Sequence, residues 1–409
     1  MNQVLFLLIT LLSIAAFGQN KIEGKVVDEQ TGEPIPSANV FFANTTFGAS
    51  TSINGEFSFS GFPSGKYDLT LTFVGYATAQ QSVTFEGSTH LIIHQKLAPE
   101  AKVLKEILVK PDTIGWNRNY RDFKYHFLGT SKYAQQCKIL NPKDLSLYFD
   151  PKDATLVAYA KQPIIVENKA TGYRIKYHLY HFEYASRSGL FNIYGLPQFE
   201  EMAAKNEREK KNWLKERQRI YEGSLLHFMR SWRNQAWREN DFKVSRLFRI
   251  PNKERPSDEH LSAKINELRK KQMSDGQLQI NFYSNAKDFK GDSLSYYLRL
   301  RNLPKEIDSV VSEKLTGTEF MTSQTGEANY QGLLAIQYDR LEDPIYAQTI
   351  ARREQRIKQR SILRVLTPLK IYSNGYYEDV RGIFLENYWS WSEKIATLLP
   401  LDYEPVNED

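Results

Sequence analysis

The chain has 409 residues, 41% of them apolar and 25% charged, with 24 Tyr, 23 Phe and 6 Trp. A core of useful size can form, and extended disorder or a collagen-like repeat is excluded. The mean hydropathy of −0.52 excludes a polytopic helical membrane protein. The single Cys137 excludes an internal disulfide and any thiolate-rich zinc site. The net charge of +6 is mild for this size and favours loose contact with anionic surfaces.

From the N-terminus, Val4 to Phe17 is almost wholly apolar. A spanning helix needs about 20 such residues, so this run fits a signal-peptide core instead. Small residues at Ala16 and Gly18 predict cleavage between Gly18 and Gln19, with residues 1–18 as the signal peptide. No Lys or Arg precedes the core, which departs from the usual pattern. No later stretch is long and apolar enough to span a bilayer, so the mature chain is expected to be exported without an integral span. A lone cysteine suits an oxidising compartment.

Residues 19–98 carry turn signals every eight to twelve residues, the pattern of a small β-sandwich. Lys21–Val27 alternates, and Gly32, Pro34 and Pro36 make a turn before a strand at Ala38–Phe42. Asn54-Gly55 reads as a hairpin turn. Phe57 and Phe59 alternate with polar neighbours, as do Tyr67, Leu69, Leu71 and Phe73. Val83, Phe85 and Leu91–Leu97 complete about seven strands, which implies two packed sheets.

The residues Gly24–Asp28, Thr31–Pro34, Ala38–Val40, Asn54–Phe57 and Gly65–Leu69 through Val74–Tyr76 resemble the carboxypeptidase-D regulatory-like domain. The resemblance covers about 80 residues. It implies a transthyretin-like fold of a kind abundant in envelope proteins of Bacteroidetes. It implies no peptidase activity, because the domain accompanies metallocarboxypeptidases without cleaving peptides. Ile53 stands where the family usually has Asp before the turn.

Ala98-Pro99 closes the module, Lys102–Val109 reads as a further strand, and Pro111 breaks it, so 99–112 is expected to be a linker. Residues 113–409 mix the two periodicities and are expected to form a larger α+β domain. Strands are predicted at Leu145–Phe149, Thr155–Ala160, Pro163–Glu167, Tyr173–Tyr184, Gln277–Tyr283, Ser293–Arg301, Tyr330–Tyr338, Pro368–Tyr372 and Gly382–Glu386. Helices are predicted at Gln198–Ile220, Ser224–Glu239, Pro256–Gln272, Glu342–Leu366 in whole or part, and Ser392–Leu399. The strings Asn141-Pro142, Ile165–Asn168 with Gly172–Ile175, Tyr221–Ser224 with His227–Ser231, and Tyr388–Trp391 with Leu398–Pro405 resemble the uncharacterised part of Bacteroidetes proteins that carry this regulatory-like domain. That resemblance implies an envelope location and no established reaction.

A zinc carboxypeptidase needs His and Glu three apart plus a distant His. None of the seven His is followed by Glu at that spacing, and HExxH is absent. His90 and His94 share a strand face without a third ligand. His178 and His181, three apart on a strand, should point to opposite faces. Ser284 and Lys287 match SxxK by chance. Ser224 and His227 come together if Ser224 opens a helix, and there the serine is expected to be the N-cap. Arg352, Arg356, Arg360 and Arg364 would form one stripe on a helix, able to dock an acidic partner or an anionic lipid surface or, as such stripes more often do, a solvated face pairing with local carboxylates. Tyr388, Trp389 and Trp391 offer a sugar-stacking platform or, as aromatics usually do, core packing. No phosphate-binding glycine loop and no nucleic-acid motif appears. No catalytic, cofactor-binding or metal residue is therefore assigned. A TonB-dependent receptor is excluded because the remaining residues show no run of alternating ten-residue strands. The expectation is a non-catalytic envelope protein, periplasmic or extracellular, that binds a protein or glycan. The alternative is a hydrolase with a non-standard site at Ser224 and His227.

Overall fold

The computed structural model describes residues 20–100, 115–274, 294–311, 320 and 322–406. The chain divides into two compact units. Met1–Lys243, Thr316–Gln331 and Ile336–Asp409 form the first; Val244–Leu315 and Gly332–Ala335 form the second. The architecture is an N-terminal all-β sandwich followed by a larger α+β region.

The sandwich has seven strands: β1 (Asn20–Asp28), β2 (Asn39–Phe42), β3 (Gly48–Ser50), β4 (Glu56–Phe62), β5 (Gly65–Thr72), β6 (Ala79–Phe85) and β7 (His90–Leu97). One sheet runs β4-β1-β7 and the other β3-β2-β5-β6. The alternation read in β5 buries Tyr67, Leu69 and Leu71. The Asn54-Gly55 turn is present, but it joins strands of opposite sheets and is not a hairpin. Gly55 has φ +74, and a Cβ there would lie 2.4 Å from the Val26 carbonyl, so the close crossing requires glycine. The regulatory-like motif residues hold one another. The Asp28 carboxylate accepts from the Tyr76 hydroxyl (2.5 Å) and from the N–H groups of Gln30 and Thr31. The Tyr76 bond, and after it the Thr31 N–H, holds that carboxyl below the usual carboxylate range.

The next layer starts with α1 (Trp116–Leu128) and a sheet built from β8 (Cys137–Ile139), β9 (Leu145–Asp150), β10 (Thr155–Ala160), β11 (Ile164–Asn168), β12 (Tyr173–Ala185) and β13 (Leu190–Glu201). The order is β8-β11-β12-β10-β9, with β13 along the other side of β12. The inner face packs Phe182, Tyr177, Leu147 and Leu156 against Phe123 and Phe127 of α1. Helix α2 (Glu207–Tyr221) follows, so only the later part of the predicted 198–220 helix is helical. Gln198 and Phe199 instead pair with β12, and Phe199 is fully buried, so sheet pairing overrides the helical composition. Asn206 caps α2 by accepting the Glu209 N–H. Helix α3 (Leu225–Arg233) ends before the predicted Glu239, with Gln235 at φ +58 just beyond it.

The second unit contains β14 (Phe242–Pro251) from Val244 onward, α4 (Asp258–Ser274), α5 (Leu294–Asn302) and β15 (Glu306–Val311). Strands β14 and β15 are antiparallel. The predicted strand at 293–301 is helix α5: its Leu and Arg residues are good helix formers, and the apolar spacing suited both periods. Returning to the first unit along the chain come β16 (Glu327–Ala328), β17 (Gly332–Leu341, shared by both units), β18 (Lys358–Val365), β19 (Leu369–Lys370), β20 (Ile383–Asn387) and the short α6 (Tyr388–Ser392). The predicted helix over 342–366 is instead one wide turn at Tyr346–Ile350, an irregular stretch, and the strand β18 over Lys358–Val365. The last predicted helix lies earlier than expected, and only a single tight turn, Ile395–Thr397, follows it. The strands expected at 102–109 and 277–283, Ser284, Lys287, most of the expected linker, and the cleavage residues Gly18 and Gln19 lie outside the described residues.

Arg230 ties these layers together. It is 9% exposed and donates to the carbonyls of Asn374 (3.2 Å), Leu401 (2.8 Å) and Tyr403 (2.8 Å). The segments it grips reach the sandwich. Leu401 donates to the Asn44 carbonyl, Asp402 accepts from Thr46, and Asn374 donates to the Lys66 carbonyl. Replacing Arg230 with Met should lower stability by about 3–5 kcal/mol, because three buried carbonyls lose a charged partner. Arg230→Lys should recover little, since an ammonium cannot match three separated acceptors through a planar fork. Thermal and urea unfolding of both variants measures this.

Candidate functional site

Ser224 and His227 meet at the start of α3. The Ser224 hydroxyl accepts the His227 backbone N–H at 3.1 Å, which is N-cap geometry. The His227 ring does not face that hydroxyl as a base. Its Nδ1 accepts the Gly223 N–H at 3.1 Å, and its Nε2 lies 3.3 Å from Asn240 Oδ1. With Nδ1 occupied, the proton sits on Nε2 and both ring nitrogens are used. Tyr221, Phe242 and Tyr338 enclose the ring. Burial drives its pKa down to about 4. This histidine organises the turn before α3. Gly223, at φ +82, is part of the same packing: a Cβ would lie 2.5 Å from the Tyr338 ring.

Around that turn the strings singled out in the sequence converge. Trp389 is buried and its indole N–H donates to the Gly223 carbonyl at 2.8 Å. The Leu225 N–H donates to Glu393 Oε1 at 3.0 Å. Asn168 reaches the Ala396 carbonyl, and Asn141 ties β11 to the Pro163 loop. Trp391 donates to Thr130 and packs on Tyr346 and Tyr388. The polar atoms named in this knot are spent on neighbouring protein groups, most of them backbone, so these residues serve packing. Burial lifts Glu393 to about 7 and lowers Lys394 beside it to about 8. Lys394 lies over the Phe191 ring, 4.2 Å from its centroid.

The remaining histidines change one expectation. Strand β12 has a bulge between Leu179 and His181. His178 stands opposite Leu196 and His181 opposite Tyr194, so the extra residue, Tyr180, brings both imidazoles to the same face. Opposite faces were predicted, and the bulge reverses that. They still have different surroundings: His178 stacks on Phe41 of the sandwich at 5.3 Å, while His181 is 3.5 Å from Glu183. Among the described residues, no group of three His, Cys, Asp or Glu is placed to hold a metal. His90 pairs with Glu23 at 3.0 Å. The arginine stripe is also not helical. Arg352 sits at φ +50, and Arg360 and Arg364 lie in β18, because a spacing of four suits a strand face as well as a helix face. Arg353 pairs with Glu342 and Arg364 with Glu386, while Arg360 donates to Gln337.

An open surface lies on the outer face of the β9, β10, β12 and β13 strands. The inner residues there are buried on α1, so their neighbours point away from it. Tyr148 (37% exposed), Tyr159 (41%) and Tyr194 (40%) stand on this face, and Tyr180 (44%) stands out at the bulge. Tyr180 and Tyr194 have ring centroids 5.8 Å apart. Register places Tyr148 beside Val157, and Tyr159 beside Ser146, so the first two rings are diagonal neighbours. Glu183 and Asn192 pair across β12 and β13 on the same face, next to His181. The result is a row of rings interleaved with a carboxylate, an amide and an imidazole. Sequence alternation pointed to strands here. It did not show β13, nor which face would stay open.

The model of the CarboxypepD_reg-like domain family matches residues 22–109. No curated protein matches the chain. Among solved structures, the group B streptococcus pilus 2b backbone protein is 15% identical with a TM-score of 0.17, over 20% of this chain and 41% of that one. The Bacillus anthracis TIE protein is 21% identical with a TM-score of 0.16, over 20% of this chain and 17% of that one. A DUF3823 family protein from Parabacteroides merdae is 12% identical with a TM-score of 0.16, over 47% of this chain and 85% of that one. This chain thus spans less than half of the two bacterial surface and TIE proteins it matches.

The buried titratable groups predict a two-sided pH dependence. His227 is neutral when folded, with a pKa near 4 against about 6.5 unfolded. Its contribution is therefore present above pH ~6.5 and is lost as pH falls towards 4. Glu393 has the opposite sign: its raised pKa makes its contribution full below its ordinary value of 4.5 and lost as pH rises through about 7. In thermal melts across this range, His227→Gln should flatten the acidic limb and Glu393→Gln the limb near neutrality. Ser224→Ala should cost about 1 kcal/mol, the value of a lost N-cap.

Proposed function

We propose that this is a non-catalytic, exported cell-envelope protein that binds a glycan on the open tyrosine face of its β9–β13 sheet. The observation that carries the reading is the row of exposed rings at Tyr148, Tyr159, Tyr180 and Tyr194 with Glu183, Asn192 and His181 between them. Flat aromatic faces stack on the C–H surface of sugar rings, and the interleaved polar groups meet hydroxyls. The match of residues 22–109 to the regulatory-like domain family and the apolar run at Val4–Phe17 support the envelope setting. The hydrolase alternative at Ser224 and His227 finds no support in the geometry, since neither side chain is free to activate water or a hydroxyl.

Affinity electrophoresis of the mature protein through gels containing bacterial envelope polysaccharides tests the proposal. The wild-type protein should be retarded by at least one polysaccharide and release no product from it. Tyr159→Ala and Tyr194→Ala should each weaken retention by about tenfold, equivalent to ~1.4 kcal/mol, without changing the melting temperature by more than a few degrees. Unchanged retention of the double variant would sink the assignment to this face.

A further inference from the structure

We infer that the outward side of α2 is a second binding surface, built for an acidic polysaccharide. It stands on α2 alone and does not depend on the tyrosine face.

Lys205, Arg208, Lys211 and Lys215 are all exposed, and they line an open-sided recess of about 570 Å³ together with Asn206, Glu209 and Asn212. Arg208, Lys211 and Lys215 follow i, i+3, i+7 spacing and therefore share one side of the helix. What sets the recess apart is that its cations are gathered on one side of a helix with few carboxylates beside them. On α2 itself Arg217 pairs with Glu201 and Arg219 with Glu216. Among the described residues, none of the four cations of the recess has a carboxylate within ion-pair distance. The one carboxylate in the recess, Glu209, accepts the Lys205 backbone N–H at 2.7 Å and so closes the start of the helix. The recess therefore holds four cations against one committed carboxylate.

Like charges three and four residues apart cost an isolated helix a few tenths of a kcal/mol per pair. Among the described residues Glu207, four before Lys211, offsets part of that cost without forming an ion pair, and an external anion would offset the rest. The spacing suits a polymer. Successive cations stand about one helical turn apart, roughly 5 Å, which is close to the length of one sugar residue. A membrane surface fits less well. Peripheral helices insert apolar side chains, but Trp213, Ile220 and Tyr221 of α2 are buried in the protein. Leu214, at 37% exposure, is the helix's one exposed apolar residue. The cap at Asn206 and Glu209 fixes the first turn in advance, so little ordering is needed on binding.

The test uses the mature chain with dextran sulfate as probe, neutral dextran as blank, and phosphatidylglycerol vesicles as the competing surface. Titration calorimetry at low and physiological salt should show binding to dextran sulfate that weakens with salt. Arg208→Glu, Lys211→Glu and Lys215→Glu combined should weaken it by about tenfold or more, whereas Lys138→Glu, Lys143→Glu and Lys152→Glu combined, which change net charge equally, should weaken it less than about twofold. If the first triple variant melts early, Gln replaces Glu at the same three positions and the same loss is expected. Equal losses in both triples, or none in the first, would overturn the inference. So would tight vesicle binding that the α2 variant abolishes while dextran sulfate binding persists, because the occupant would then be a membrane.

Discussion

The guanidinium of Arg230 is the constraint on which the first unit is built. A buried cation is tolerated only when its donors are met, and here they are met by backbone carbonyls from two distant segments. Those segments, around Asn374 and Leu401–Tyr403, are short and contain little regular structure of their own. Without a fixed donor array they would have few reasons to adopt one path. With it, they become the surface against which the sandwich packs, through Asn44, Thr46, Lys66 and Asp68. The Tyr221 ring beneath the guanidinium adds a cation–π contact, with 5.6 Å between them.

The same reasoning accounts for the turn before α3. Ser224, His227, Gly223, Trp389 and Glu393 look like reactive parts when taken one at a time. In place, each is held by a hydrogen bond: the serine by an N–H, the imidazole by the Gly223 N–H and the Asn240 side chain, the indole by a carbonyl, the carboxylate by the Leu225 N–H. Groups committed in this way stiffen a fold. The perturbed pKa values around them follow from burial, and report core position without implying catalysis.

The surfaces proposed for recognition are those whose polar and aromatic groups are left over. The tyrosine face is open because α1 covers the other side of the sheet and the sandwich covers only the end at His178 and Leu196. Its contour depends on the bulge at Tyr180, which restores outward pointing for His181, Glu183 and Asn192 after the buried run Tyr173, Ile175 and Tyr177. The side of α2 that carries Lys211 and Lys215 is open for the converse reason: Trp213 and Arg217 take the inward positions, donating to the carbonyls of Lys169 and Thr171.

Local order determined much by itself. Alternation placed the sandwich strands and most of β9–β12, and the motif residues Asp28 and Tyr76 announced the N-terminal family because their contacts are close in the fold and repeated in its pattern. Ser224 was legible as a cap because capping is a short-range bond. What only the tertiary structure decided involved partners far apart in sequence. The bulge at Tyr180 has no local signature and reversed the facing of His178 and His181. Gln198 and Phe199 became strand because β12 offered a ladder. Arg360 and Arg364 became strand residues although their spacing fitted a helix equally well. Spacing along a chain states which side chains share a face; it cannot state which face another segment will cover, because that depends on the free energy of contacts formed after the chain has turned back on itself.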